Sequence, residues 1–306
     1  MKKLSAYILI TLIPLLLFAC SKPLPTELVG NESSDEQSSL EFNTISSDDE
    51  LLYKNGYDST GTDLSVPSTS VVISASSIKT TYKSKTEVKE LAEAAFFDRE
   101  MPVKRQGGKL LGYRTKLLGV VSFDNLQARV VPFMASFREH GAIKDTLLGS
   151  YFLLYKNNNS GDPFNFVHDS NIHFRLKGIM NRSDEFEIST PKEISAEVDV
   201  SGSLSNNDLS FKIKWDKALQ GKIQILISGL SISQKNIVPF AKIFVDDKGS
   251  AKIPSSFLKD FPLANFDRIV FTLSRRKTTE YKSGSIIKDN TIVAQTIHSI
   301  QLDIPK

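Results

Sequence analysis

Strict alternation of apolar and polar residues is the strongest constraint in this chain. In "DLSFKIKWDK", Leu209, Phe211, Ile213 and Trp215 alternate with Ser210, Lys212 and Lys214. "KIQILISG" repeats the pattern with Ile223, Ile225 and Ile227. Successive side chains of a strand point to opposite faces, so a period of two gives an extended segment one buried face. "DRIVFTLSRRK" sets Ile269, Phe271 and Leu273 on one face, and the final strand aligns Ile292, Ala294, Thr296, His298, Ile300 and Leu302. "FAKIFVDDKGSAKIP" has the form of a hairpin turning at Asp246-Asp247-Lys248-Gly249.

The preceding stretch carries the same signal in shorter pieces. "GKLLGYRTKLLGVVSFDNLQARVVPFMASFRE" divides into two or three strands, with "FDN" at a turn. "GSYFLLYK", "FNFVHD", "NIHFRLKG" and "EFEIS" follow, bounded by Gly, Asn, Asp or Ser. Short strands separated by turn signals indicate a sandwich or barrel. One segment departs from this. In "SKTEVKELAEAAFFDRE", residues 84–100, Val88, Leu91, Ala92, Ala95 and Phe96 fall at i, i+3, i+4, i+7 and i+8. That spacing predicts a helix with one apolar stripe packed on the core. The expected fold is mainly β, with two antiparallel sandwich-like domains, 71–190 and 191–306, divided at Pro191. A single helix at about 84–100 begins the first.

The N-terminus carries an address. Lys2 and Lys3 precede an apolar run from Ala6 to Ala19, interrupted by Thr11 and Pro14. About 14 residues suit a signal-peptide core and fall short of the ~20 that span hydrocarbon. Leu17-Phe18-Ala19-Cys20 resembles the lipobox of bacterial lipoproteins, with Leu three before the cysteine and a small residue one before it. The resemblance implies cleavage before Cys20, diacylation of its thiol (palmitate-type chains), and anchoring to the lipid bilayer. Ser21, in place of Asp, implies transfer to the outer membrane. Cys20 is the chain's only cysteine, so no intramolecular disulfide supports the fold.

Charge divides the mature chain. Residues 20–70 hold ten acids and two bases, a net of −8, and residues 71–306 hold 34 bases and 25 acids, a net of +9. The acidic stretch is rich in Ser, Asn, Thr and Asp, too poor in apolar surface to offset its ordering entropy. It is expected to be a disordered tether reaching about 35–40 Å on average. The basic body invites a nucleic-acid reading, since Lys104, Arg105, Lys109, Arg114 and Lys116 cluster, as do Arg275, Arg276 and Lys277. No nucleic-acid-binding signature accompanies them, so no nucleic-acid partner is expected and both clusters read as solvated faces.

Residues 191–306 resemble an immunoglobulin-like or fibronectin type III-like sandwich. The carriers are Pro191 at its start, "LSFKIKW" ending in the sole tryptophan, and the paired "KIQILIS". That resemblance implies two antiparallel sheets and a binding or spacing role, and brings no catalytic residues.

Chemistry is sparse. The chain lacks Gly-x-Ser-x-Gly and His-Glu-x-x-His. His168 and His173 could meet across a tight turn, but a third ligand is missing. His298, on the apolar face of the last strand, reads as a satisfied core histidine. "NNNSGDPFNF", residues 157–166, offers oxygen ligands but is more simply a turn. No catalytic residues, metal site or cofactor are expected. Cys20 is the lipidation site. Tyr155, Phe164 and Phe166 flank the polar loop and are the candidate ligand-binding residues, because carbohydrate-binding modules use exposed aromatics. The expected function is a non-enzymatic binding or structural lipoprotein of the cell envelope, whose partner is an envelope protein or glycan. The alternatives are a glycan-binding or adhesive surface module and, third, a sandwich-fold carbohydrate-active enzyme.

Overall fold

A computed structural model describes residues 41–44, 51–53 and 70–306, apart from 106, 109, 140–141, 179–181, 220 and 234–235. Cys20, the signal segment, His140 and most of the acidic stretch lie outside the described residues. The strands run β1 Glu41–Thr44, β2 Leu51–Tyr53, β3 Val71–Tyr82, β4 Lys85–Lys104, β5 Leu110–Thr115, β6 Gly119–Phe123, β7 Leu126–Gln127, β8 Arg129–Glu139, β9 Ala142–Asn157 and β10 Ser160–Gly161. They continue as β11 Asn171–Gly178, β12 Ser183–Ser189, β13 Ala196–Ser201, β14 Ser210–Trp215, β15 Lys222–Ser231, β16 Asn236–Asp246, β17 Ser250–Ile253, β18 Arg268–Ser283 and β19 Lys288–Asp303. Among the described residues the α-helix is a single turn, α1 Ser255–Leu258. The chain is mainly β, as the alternation requires.

The strands form one large sheet and two small ones. The large sheet runs β1-β16-β15-β18-β19-β3-β4-β9-β8-β2, with β10 added to β9 and β5 to β4. Its pairs are antiparallel except β19 with β3. The small sheets are β12-β11-β6-β7 and β13-β14-β17. Each packs on the same face of the large sheet and closes a core. In the first core Phe123, Phe174 and Ile188 meet Ile73, Ala94, Phe96 and Phe152. In the second, Phe211, Ile213 and Trp215 meet Ile225, Ile243, Phe271 and Leu273. Strand β14 alternates as the sequence predicts, with Phe211, Ile213 and Trp215 buried and Lys212 and Lys214 exposed.

The expected units 71–190 and 191–306 share this large sheet. Strands β18 and β19 are each 16 residues long and serve both cores. Phe271 and Ile300 lie in the second, while Tyr281 packs against the first and Ile292 and Ala294 lie in it.

The helix expected at 84–100 is strand β4. It pairs with β3 over twelve positions, from Val71 opposite Phe96 to Tyr82 opposite Lys85. Its other neighbour is β9. Residues Leu91 to Phe97 are all buried, because both faces of β4 are covered. A strand buried on both faces is a continuous apolar run, in which helical spacings occur by default. Cross-strand pairing then outweighs the helix preference of Glu, Leu and Ala.

Two other expectations change. The acidic stretch is not wholly without structure. Its residues Glu41–Thr44 pair with β16 at one edge of the large sheet, and Leu51–Tyr53 pair with β8 at the other. Nine steps of ~4.8 Å would separate those edges by about 43 Å in a flat sheet. The six residues between β1 and β2 reach at most about 25 Å, so the sheet curls to bring its edges together. The hairpin expected around Asp246–Gly249 is instead a crossing, since β16 belongs to the large sheet and β17 to the β13-β14-β17 sheet.

Candidate functional site

The aromatic platform expected beside the polar loop does not form. Phe164 and Phe166 are buried in the first core, at 0% and 3% exposure. Tyr155 is partly buried against Ile78, Leu91 and Ile297. The alternating pattern around "FNF" turns both phenylalanines inward, and only Asn165 between them is exposed. The loop itself is a two-residue turn, with Asn158 and Asn159 at φ 42° and 67°. Asp162, its acidic member, takes two hydrogen bonds from Arg129, at 3.1 and 2.9 Å, and one from the Tyr155 N–H at 2.9 Å. Its carboxylate is thereby committed to holding the turn on β9.

The histidines do not converge. His173 Nε2 lies 3.7 Å from Glu185 on β12. His168 sits edge-on to Phe166, and burial lowers its pKa from the ordinary 6.5. Among the described residues no three His, Cys, Asp or Glu side chains could hold a metal ion. Among them, too, no helix is long and apolar enough to cross a membrane.

The polar residues that do converge lie between the two cores. There the segment 190–195, carrying the chain from β12 to β13, crosses the large sheet and is bonded along its length. Thr190 Oγ1 donates to Val167 O at 2.7 Å, and the Asp169 N–H donates to Pro191 O at 3.0 Å. Lys79 Nζ donates to Ser195 Oγ at 2.8 Å and lies 3.5 Å from Glu193. The Ser195 N–H donates to Asp216 at 2.6 Å.

Arg275 is the centre of this joint. It sits on β18 in the alternating series after Leu273, so it faces inward, and its side chain is fully buried. Nε and Nη2 donate to the two Asp247 oxygens at 3.0 and 3.1 Å. Nη2 also donates to Asp216 O at 2.6 Å. Nη1 donates to Lys192 O at 3.2 Å and to Glu193 O. All five guanidinium N–H groups are therefore used. Asp247 is likewise saturated, accepting further bonds from Trp215 Nε1 at 2.9 Å and the Ala218 N–H at 3.2 Å. The cluster Arg275, Arg276, Lys277 was expected to be a solvated face. Arg275 overturns that, because period two puts it on the core side and Asp247 compensates its charge there.

His298 is the satisfied core histidine its position on β19 predicts. Nδ1 accepts the Ala196 N–H at 2.8 Å, so the neutral ring carries its proton on Nε2 and donates it to Thr81 Oγ1, 2.9 Å away. Burial, then the positive charge of Lys79, lower its pKa from 6.5 to about 4. The unfolded chain therefore binds this proton more readily, and the stability His298 contributes is present above about pH 6.5 and lost as pH falls through about 4. His298→Leu leaves the Ala196 N–H without its acceptor and is expected to cost about 1–3 kcal/mol at pH 7.5. Denaturant titrations across pH should show that gap closing between pH 6.5 and 4. A gap unchanged at pH 4 would rule out the neutral tautomer.

Two buried carboxyls carried no sequence signal. Asp184 on β12 is 2% exposed and accepts the N–H groups of Ser285, Ile286 and Ile287 at 2.6, 3.0 and 2.6 Å, clamping the β18–β19 turn. Glu93 on β4 faces the side of the large sheet opposite the small sheets and is 7% exposed. Ser74 Oγ donates to it at 3.1 Å, and among the described residues no cation faces it. Burial raises its pKa to about 7. Ser76, Ser274, Gln224 and Gln295 share this face and are also buried. Gln295 Nε2 donates to Ser76 Oγ at 3.1 Å, so the polar groups of this face bond laterally across strands.

No protein-family model, curated protein or solved structure matches the chain.

Proposed function

We propose that this chain is an exported lipoprotein, held in the outer membrane of the cell envelope by acylated Cys20, that acts as a non-enzymatic binding or structural protein. The observation that carries this reading is Leu17-Phe18-Ala19-Cys20, placed behind a lysine-led apolar run and ahead of the acidic stretch. The β body supports the second half of the reading. Among its buried ionisable groups, Arg275, Asp247, Asp184 and His298 are engaged in bonds that hold one element to another, and Glu93 accepts a bond from Ser74 on the neighbouring strand. Groups bonded in this way serve to position a surface. A glycan-binding role loses two of its three candidate contacts, since Phe164 and Phe166 are buried.

Metabolic labelling with a clickable palmitate analogue tests the anchor. The wild-type chain should carry label and fractionate with the outer membrane. Cys20→Ser should be unlabelled and should migrate as the longer precursor. Equal labelling of the two would refute the lipid attachment.

A further inference from the structure

The outer half of β4, strand β5 and residues 144–150 of β9 form one end of the first sandwich, and this end is both basic and apolar at its surface. Strand β5 lies along β4, with Arg114 opposite Asp98 and Tyr113 opposite Pro102. It is tied to β9, where Arg114 Nη1 donates to Leu147 O at 2.9 Å and Thr115 Oγ1 accepts the Ser150 N–H at 2.6 Å. Three large apolar side chains are exposed here: Met101 at 54%, Leu117 at 49% and Leu147 at 47%. Lys104, Arg114 and Lys116 are exposed on the same strands or directly after them. Residues 98–105, 110–117 and 144–147 together carry six bases and three acids. Leu111 and Phe97 on the same two strands are buried, and Met101 and Leu117 become exposed where the β4–β5 register shifts and where β5 ends.

The geometry points to this end as a docking surface for the anionic headgroups of a lipid bilayer. Charge selects the partner, since a net of +3 on one end is drawn to a surface of negative headgroups and gains roughly 1 kcal/mol per basic residue brought near it. The apolar residues select it too. Leucine and methionine flanked by lysine and arginine suit the headgroup–acyl boundary, where apolar side chains enter to a depth of about 5–10 Å while the bases stay with the phosphates. The proposal deepens the envelope-anchored reading and rests on it for its setting. Twenty-one residue steps from Cys20 to Glu41 reach up to about 70 Å when extended, so an anchored body can return to its own membrane. Docking would hold the β body against the bilayer with the β13-β14-β17 end free for a partner.

The test uses residues 20–306 as Cys20→Ser, so that binding is measured without acylation and without the apolar run Ala6–Ala19. It should co-sediment with vesicles of phosphatidylglycerol and phosphatidylcholine, fail to do so with phosphatidylcholine alone, and lose binding as salt rises. Lys104→Gln, Arg114→Gln and Lys116→Gln combined should weaken binding about a hundred-fold, five-fold for each ~1 kcal/mol charge removed. Leu117→Ser with Leu147→Ser should weaken it at least ten-fold and leave the salt dependence intact. Lys177→Gln, Lys212→Gln and Lys252→Gln, on the small sheets, should change nothing. No binding to phosphatidylglycerol, or an equal loss in the control triple, overturns the proposal. Neither result bears on acylation of Cys20, which the labelling experiment decides separately.

Discussion

Arg275→Met is expected to lower the stability of the protein by about 3–5 kcal/mol, the cost of leaving a buried charge without its partner. Asp247, now 2% exposed, would keep the Trp215 indole and the Ala218 N–H but lose the guanidinium that balances its charge. The carbonyls of Lys192, Glu193 and Asp216 would lose their shared donor. Asp247→Asn should be similarly damaging, because a fully buried guanidinium then faces a neutral amide. The double variant should fall short of the sum of the singles by more than 1 kcal/mol, since either change alone already strands the other partner. Urea titrations of the four proteins measure this. A loss below 1 kcal/mol for Arg275→Met would mean that the joint between the cores does not depend on the pair. The arginine binds the connecting segment, β18 and the turn after β16 at one point, so its removal loosens three elements at once.

Glu93→Gln is expected to stabilise the protein, and only at high pH. Burial raises the Glu93 pKa from 4.5 to about 7. The folded state therefore binds the proton more tightly than the unfolded chain. The contribution is fully present below about pH 4.5 and is lost as pH rises through about 7. A shift of that size corresponds to roughly 3 kcal/mol at 1.36 kcal/mol per pH unit. Glutamine keeps the shape and an acceptor for Ser74 but never ionises. At pH 8.5 the variant should exceed wild type by about that amount, and at pH 4.5 the two should be within about 0.5 kcal/mol. Parallel denaturation curves at the two values would settle this. Equal stability at pH 8.5 would show that the folded state hydrates the Glu93 carboxylate. His298 acts with the opposite sign, so the pH dependence of the wild type alone cannot isolate either group.

Strands whose two faces differ in polarity were legible in the chain. Strand β14 shows Phe211, Ile213 and Trp215 inside and Lys212 and Lys214 outside, as alternation predicts. The "FDN" turn was legible too, because Asp124 and Asn125 tolerate the positive φ of a two-residue turn, here 48° and 65°. Strand β4 was not legible. With both faces buried, "LAEAAFF" has Glu93 as its single polar residue, and one position sets no period. Phe164 and Phe166 illustrate the same limit at a candidate site, for a loop's aromatics show in sequence only that they flank polar residues. Their direction depends on β11 and β6 lying across from them. Arg275 was hidden for a related reason. A basic triplet looks solvated until its alternation is followed to Asp247, 28 positions earlier.

From sequence alone follow the β class, the turn positions, the lone cysteine behind its apolar run and the division into acidic and basic stretches, since each depends on residues a few positions apart. Tertiary structure alone decided that one curled sheet serves both cores, that β3 lies beside β19, and that Arg275, Asp247 and the 190–195 segment meet. Those contacts join residues separated by up to some two hundred positions, and their energy appears only when burial removes water and leaves each polar group a single partner.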